Sequence, residues 1–273
     1  MILTAPAELT PVKGKYFRGV LASLGTLLWI LCLVPPISHW SRQYQFVESI
    51  QFCFFAVCIP ALLVLGAPWR WLGLASRVPR VIAADGLTAP VTKPRLIDRL
   101  AVARLRRSGD RVAYTIGTLF VLSTIFWRVA PVVDYGVTNA WLAPVESLVL
   151  VCVGLLLWLD LVESPPMKPG APRPFRIGMA AISMWVVWVL SYLGAMSGRS
   201  WYPAFSHVAG RGVSLAADQQ LSTGFMWLLS AASFLPVIFW NLIHWLQSEE
   251  NPDDELTRMM RREKVLGTIA NKE

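Results

Sequence analysis

Six continuous apolar runs divide the chain, at residues 19–38, 44–66, 112–133, 141–162, 176–196 and 220–246. Each comes close to the ~20 residues that an α-helix needs to cross ~30 Å of hydrocarbon. The runs are unbroken rather than alternating apolar with polar, and a lipid-facing backbone must satisfy its own hydrogen bonds. The pattern therefore predicts helices and not the strands of a barrel. The chain reads as all-α: a polytopic membrane helical bundle of about six transmembrane helices over 1–247, with one sizeable loop at 68–111 and a charged tail at 248–273. Inside the loop, Leu96, Ile97, Leu100, Val102, Ala103 and Leu105 recur among basic residues, which predicts an interfacial basic helix. The tail opens on an acidic stretch and predicts a short exposed helix near Leu256 to Val265. The first run is long enough to span and carries no small-residue cleavage pattern, so it is expected to stay as an anchor.

Charge adds the orientation. With the N-terminus inside, 21 of the 25 Lys and Arg residues fall on cytoplasmic segments, and the other side keeps Arg42, Arg128, Arg199 and Arg211. That bias places both termini in the cytoplasm, N-in and C-in, and makes 68–111 a cytoplasmic loop. The net charge of +8 is then a topology signal directed at anionic membrane lipid, and no nucleic-acid partner is implied.

Composition agrees with this class, at 55% hydrophobic and 15% charged, and its details mostly have structural readings. Trp40, Trp141 and Trp201 on one side, and Trp69, Trp71 and Trp245 on the other, form aromatic belts. Ser183, Ser191, Ser230, Ser233, Gly178, Gly194 and Ala231 give the last two spans small surfaces for close approach. Cys32, Cys53, Cys58 and Cys152 lie inside spans without a CxxC pattern. On a regular helix Cys53 and Cys58 stand about 140° apart, so the pair is read as packing rather than as a thiolate site.

Ionisable residues at membrane depth are expensive and carry more meaning. Glu48, Asp134, Glu146 and Asp218 all fall at one end of four spans, on the outer side in this topology, with Arg128 about six residues deeper than Asp134. A polar cluster of Glu48, Arg128, Asp134, Glu146, Asp218 and Gln219 follows. Arg128 requires a carboxylate partner, either Glu48 or Glu146. Asp218 can also serve simply as an N-cap ahead of Gln219 and Gln220.

Two segments invite comparison with a known family: Pro60-Ala61-Leu62-Leu63-Val64-Leu65-Gly66-Ala67-Pro68, and Asp218-Gln219-Gln220-Leu221-Ser222-Thr223-Gly224-Phe225-Met226-Trp227. Both resemble the CtaG family of cytochrome c oxidase assembly factors. Trp127 to Asp134, and Glu146 with Gly154 and Trp158, resemble two further family patterns. The resemblance implies maturation of a copper-containing terminal oxidase at the outer leaflet of a bacterial inner membrane, with histidines as metal ligands. At those positions this chain has Glu48, Phe52, Arg128, Ala143 and Ser147, so the carboxylates remain and the imidazoles are gone. Copper, which favours imidazole or sulfur ligands, then has few donors. His39, His207 and Met196, all expected outside, form a weak substitute set, while His244 lies near the inner end of the last span.

The expected role is a multi-pass inner-membrane factor that assists assembly and copper maturation of a respiratory cytochrome c oxidase, with the oxidase subunits as partners. The alternative is a structural or accessory subunit, without bound metal, of that oxidase or another respiratory membrane complex. A proton or ion path along Glu48, Glu146 and Arg128 lacks polar residues in the inner halves of the spans apart from Asp160, Glu163 and His244. No nucleophile with a base, phosphate-binding glycine loop or zinc spacing suggests an enzyme.

Overall fold

The structure is a computed structural model that describes residues 11–72, 74, 97, 110–164, 167, 169–197, 200–208 and 212–250. The expected amphipathic helix near 96–107 and the charged tail beyond 250 lie outside the described residues. Ten α-helices are described: α1 (Pro11–Leu33), α2 (Ile37–Trp40), α3 (Gln45–Cys53), α4 (Ile59–Gly66), α5 (Pro68–Trp71), α6 (Asp110–Trp127), α7 (Ala130–Thr138), α8 (Leu142–Leu161), α9 (Arg173–Met196) and α10 (Leu215–Glu250). A π-helical segment, Phe54–Cys58, joins α3 to α4, and a 3₁₀ turn covers Pro203–Val208. Among the described residues the β-structure amounts to one isolated bridge, Ser164 with Met167.

Five helices are long and apolar enough to cross a membrane, and the bent pair α6 and α7 makes a sixth crossing if taken together. The helical bundle therefore holds, with corrections at particular spans. The first span does not continue to residue 38: α1 ends at Leu33, and after Pro35-Pro36 the chain forms the separate turn α2. The third is not continuous over 112–133, because α6 stops at Trp127 and α7 leaves at 62°. Pro131 lacks an N–H and its ring crowds the carbonyl four residues back, so the helix restarts with Val129 extended and Pro131 in its first turn. The 18 residues of α6 already measure about 27 Å. The last helix begins at Leu215, earlier than the expected 220.

The second span is the axis of the bundle. Of its apolar window 72% is buried, against 17% for α1, which packs at the periphery. α3 packs on α10, α4 on α1 and α8, α8 on α6, and α9 lies along α10. Within the axial span Pro60 cannot supply the N–H that the Ala56 carbonyl would receive. Immediately before it the ladder widens, and the Ile59 N–H bonds the Phe54 oxygen. The wider turn also revises the separation of Cys53 and Cys58, because five residues amount to about one π turn rather than 140°. The Cys58 thiol lies 3.6 Å from the Ser233 hydroxyl of α10.

Helices in lipid associate by close packing rather than by hydrophobic exclusion, so the absence of a side chain can set the contact. A Cβ on Gly154 of α8 would stand 2.5 Å from Pro60 Cγ and 2.6 Å from the Ala56 oxygen, and one on Gly66 would stand 2.5 Å from the Ala22 nitrogen of α1. The core beside these contacts includes an aromatic cluster: Trp158 stacks on Phe234 at 5.5 Å, and Phe120 meets Phe234 edge-on at 6.3 Å.

Candidate functional site

One face of α3 begins the site. Gln45, Glu48, Ser49 and Phe52 follow one another at helical spacing and line the side that meets α10 and the α6–α7 break. At that break Arg128 is released from the helical ladder and its side chain turns inward, where it is 2% exposed. Its Nη1 donates to both oxygens of Glu48, at 2.7 and 2.6 Å, and its Nη2 donates to Ser49 Oγ at 3.1 Å. The guanidinium also lies 5.0 Å from the ring centres of both Phe52 and Tyr202. Both rings present π-electron density to the cation, which adds attraction in a site with little water. Of the two partners open to Arg128 in the sequence, Glu48 is the one bonded.

The network continues into α10. Ser49 Oγ and Ser222 Oγ are 2.6 Å apart, and Gln45 Nε2 donates to Ser222 Oγ at 3.4 Å. Asp218, one turn before Ser222, does not cap its own helix. Ser214 does that by accepting the Ala217 N–H at 3.1 Å. The Asp218 carboxylate instead accepts the backbone N–H groups of Gln45 and Phe46, both at 3.0 Å. It thereby caps α3, whose own N-cap residue Tyr44 offers no side-chain bond. A carboxylate at a helix N-terminus also meets the positive end of the helix dipole.

Asp134 and Gln219 stand outside this chain of bonds and hold the loop above it. Asp134 Oδ1 accepts the Ala204 N–H at 3.0 Å, at the start of the 3₁₀ turn. Gln219 Oε1 accepts the Trp201 N–H at 2.9 Å, while its Nε2 donates to the Gly194 oxygen at 2.6 Å. The loop so fixed lowers Tyr202, whose hydroxyl donates to the Arg128 carbonyl at 3.0 Å. Tyr202 and Phe205 pack with Val133 as a small apolar cluster separate from the main core. Burial pushes the Tyr202 phenol up to about 12, with Arg128 acting in the opposite sense.

Glu146 is half-buried and within electrostatic range of Glu48 and Arg128. It makes no ion pair among the described residues. His39, on the short α2, meets Gln43 through its Nε2. His207 is exposed on the 3₁₀ turn, and Met196 ends α9 with 66% of its surface exposed. His244 meets the Trp240 oxygen and lies at the opposite end of α10 from Asp218. Of the members that the sequence suggested but did not connect, Glu48, Arg128 and Asp218 are joined through Gln45, Ser49 and Ser222, with Phe52 set against the guanidinium; those four are additions to the expected set. Those four share helical spacing with Glu48 or Asp218 and could have been found on that ground. Tyr202 comes from a loop and carries no such signal.

A copper ion implied by the family resemblance does not fit this donor set. Phe52, Ala143 and Ser147 offer no soft or imidazole ligand, and the Glu48 carboxylate is already neutralised by a guanidinium. Among the described residues no group of three or more His, Cys, Asp or Glu side chains could share a metal ion.

A family model for cytochrome c oxidase caa3 assembly factors, Caa3_CtaG, matches residues 13–248. The chain belongs to that family. The match takes in every described helix that can cross the membrane, so this caa3 assembly factor family member carries the family sequence over its whole bundle. Neither the comparison with curated proteins nor that with solved structures gives a match.

Proposed function

We propose that this family member assists assembly of a copper-containing respiratory cytochrome c oxidase by protein contact at the outer leaflet of a bacterial inner membrane, without carrying copper at the Arg128 site. The observation that carries the reading is the guanidinium of Arg128, a fixed cation held at 2.6–2.7 Å by Glu48 where the resemblance would put metal ligands. A site that delivers copper must be able to release and rebind its ion, whereas this cation is covalently part of the chain. Its role is positional. It joins α3 to the α6–α7 break and, through Tyr202, holds the loop over that end of the bundle, so that a client meets a preformed surface. The excess of Lys and Arg on the other side supports an outward-facing site. The role is non-catalytic, and the clients are oxidase subunits.

Two measurements test this. Elemental analysis of purified protein after anaerobic loading with Cu(I) is expected to find no stoichiometric copper. Stoichiometric copper that disappears in a Glu48→Ala, Glu146→Ala variant would overturn the proposal and make the protein a copper carrier. In a strain lacking the chain, assembled oxidase is expected to fall and to be restored by wild type.

A further inference from the structure

Three aromatic residues are not explained by membrane belts. Trp and Tyr ordinarily gather at the two interfaces, yet Trp185 stands at the middle of α9, and Trp188 and Trp227 stack at 5.1 Å well inside the bundle length. With Tyr192 they wall a groove of about 470 Å³ between α9 and α10, floored by Gly224 and ending at Gln220. Trp185, Tyr192 and Trp227 are 63%, 63% and 50% exposed, so the groove opens on the surface that faces lipid.

We propose that this groove binds one acyl chain of a phospholipid from the leaflet on the Arg128 side. Length is the first argument. Trp185 to Ala195 covers eleven helical residues, whose ten rises span roughly 15 Å, which is about half of the ~30 Å hydrocarbon thickness and so one leaflet. A transmembrane helix of a partner would run the full thickness, and this groove does not. Polarity is the second. Three of the polar groups in the walls are satisfied internally: Ser191 Oγ donates to the Val187 oxygen, Thr223 Oγ1 to the Gln220 oxygen and Trp188 Nε1 to the Trp227 oxygen. An occupant therefore meets a mostly apolar channel whose Ser191, Thr223 and Trp188 ask for no hydrogen bond. Gln220, exposed at the interfacial end, is a polar group at the place where a headgroup would begin. The third argument is the floor. A Cβ on Gly224 would meet nothing within 4 Å, so the opening there is unfilled by protein. The groove volume falls within the range of known ligand sites, and four of its lining residues are aromatic.

Native mass spectrometry of the full chain in a delipidating detergent tests the proposal. Wild type is expected to retain one phospholipid, and Gly224→Leu, which fills the floor, is expected to reduce its occupancy at least tenfold at an unchanged melting midpoint. Trp227→Ala, which removes a wall, provides the same reading if Gly224→Leu fails to fold. Gly178→Leu, on α9 outside the groove, should keep the adduct. Wild type without retained lipid, equal retention in the groove variants, or a co-purifying peptide or quinone in place of phospholipid would each overturn it.

Discussion

Replacing Arg128 with leucine removes one cation and leaves Glu48 without either of its short contacts. It also removes the donor to Ser49 Oγ and the charge held between Phe52 and Tyr202. Breaking one side of a buried ion pair costs ~3–5 kcal/mol, because the remaining charge is left without compensation. Glu48 is 13% exposed at its side chain and so keeps some access to solvent, which puts the expected loss at the lower end. At roughly 2–4 °C per kcal/mol for a chain of this size, a loss of about 3 kcal/mol lowers the melting midpoint by about 6–12 °C. Cys53 is fully buried and, with the exposed Cys152 replaced by serine, gives the assay, since a thiol-reactive fluorophore in detergent reaches it on unfolding. The pairing is isolated by a cycle. Replacing both residues of a buried ion pair with apolar ones is often neutral, so Arg128→Leu with Glu48→Leu should recover at least ~1 kcal/mol relative to the sum of the single changes. An unchanged midpoint in Arg128→Leu, or strictly additive single effects, would refute the reasoning.

Three further outcomes follow from the same geometry. Asp218→Ala leaves the Gln45 and Phe46 N–H groups at the start of α3 without their acceptor and should cost about 2 kcal/mol in thermal unfolding, partly restored by Asp218→Asn; no loss would mean that water caps α3 equally well. Gly154→Ala forces a Cβ against the Pro60 ring and the Ala56 oxygen and should destabilise by ~1–3 kcal/mol, while Gly224→Ala, with open space around it, should be neutral or gain up to ~1 kcal/mol from helix propensity. Tyr202 has a folded pKa raised from 10.0 to about 12. Its contribution is therefore fully present below pH 10 and is lost as pH rises toward 12. Tyr202→Phe should flatten that alkaline part of the midpoint-against-pH curve, and an unaltered slope would show that other groups set it.

The sequence by itself determined the class and nearly all of the membrane crossings, because twenty apolar residues have few alternatives in lipid and helices satisfy their own backbone. It also brought Glu48, Arg128, Asp134, Glu146, Asp218 and Gln219 to one end, since depth along a span can be counted. Counting depth does not give azimuth or partner. Whether Arg128 would reach Glu48 or Glu146 depended on how α6 breaks at Pro131, and Pro131 alone does not state the 62° of the bend. The capping of α3 by Asp218 joins residues 172 and 173 positions apart, a contact set by the packing of α10 on α3 and by no local rule. Tyr202 reaches Arg128 because Asp134 and Gln219 fix a loop whose own sequence has no periodicity. Local patterns decide which segments enter the membrane and how deep each residue lies; the tertiary structure decides which charges meet there, because a buried charge is stabilised only by the partner that packing brings within hydrogen-bonding distance.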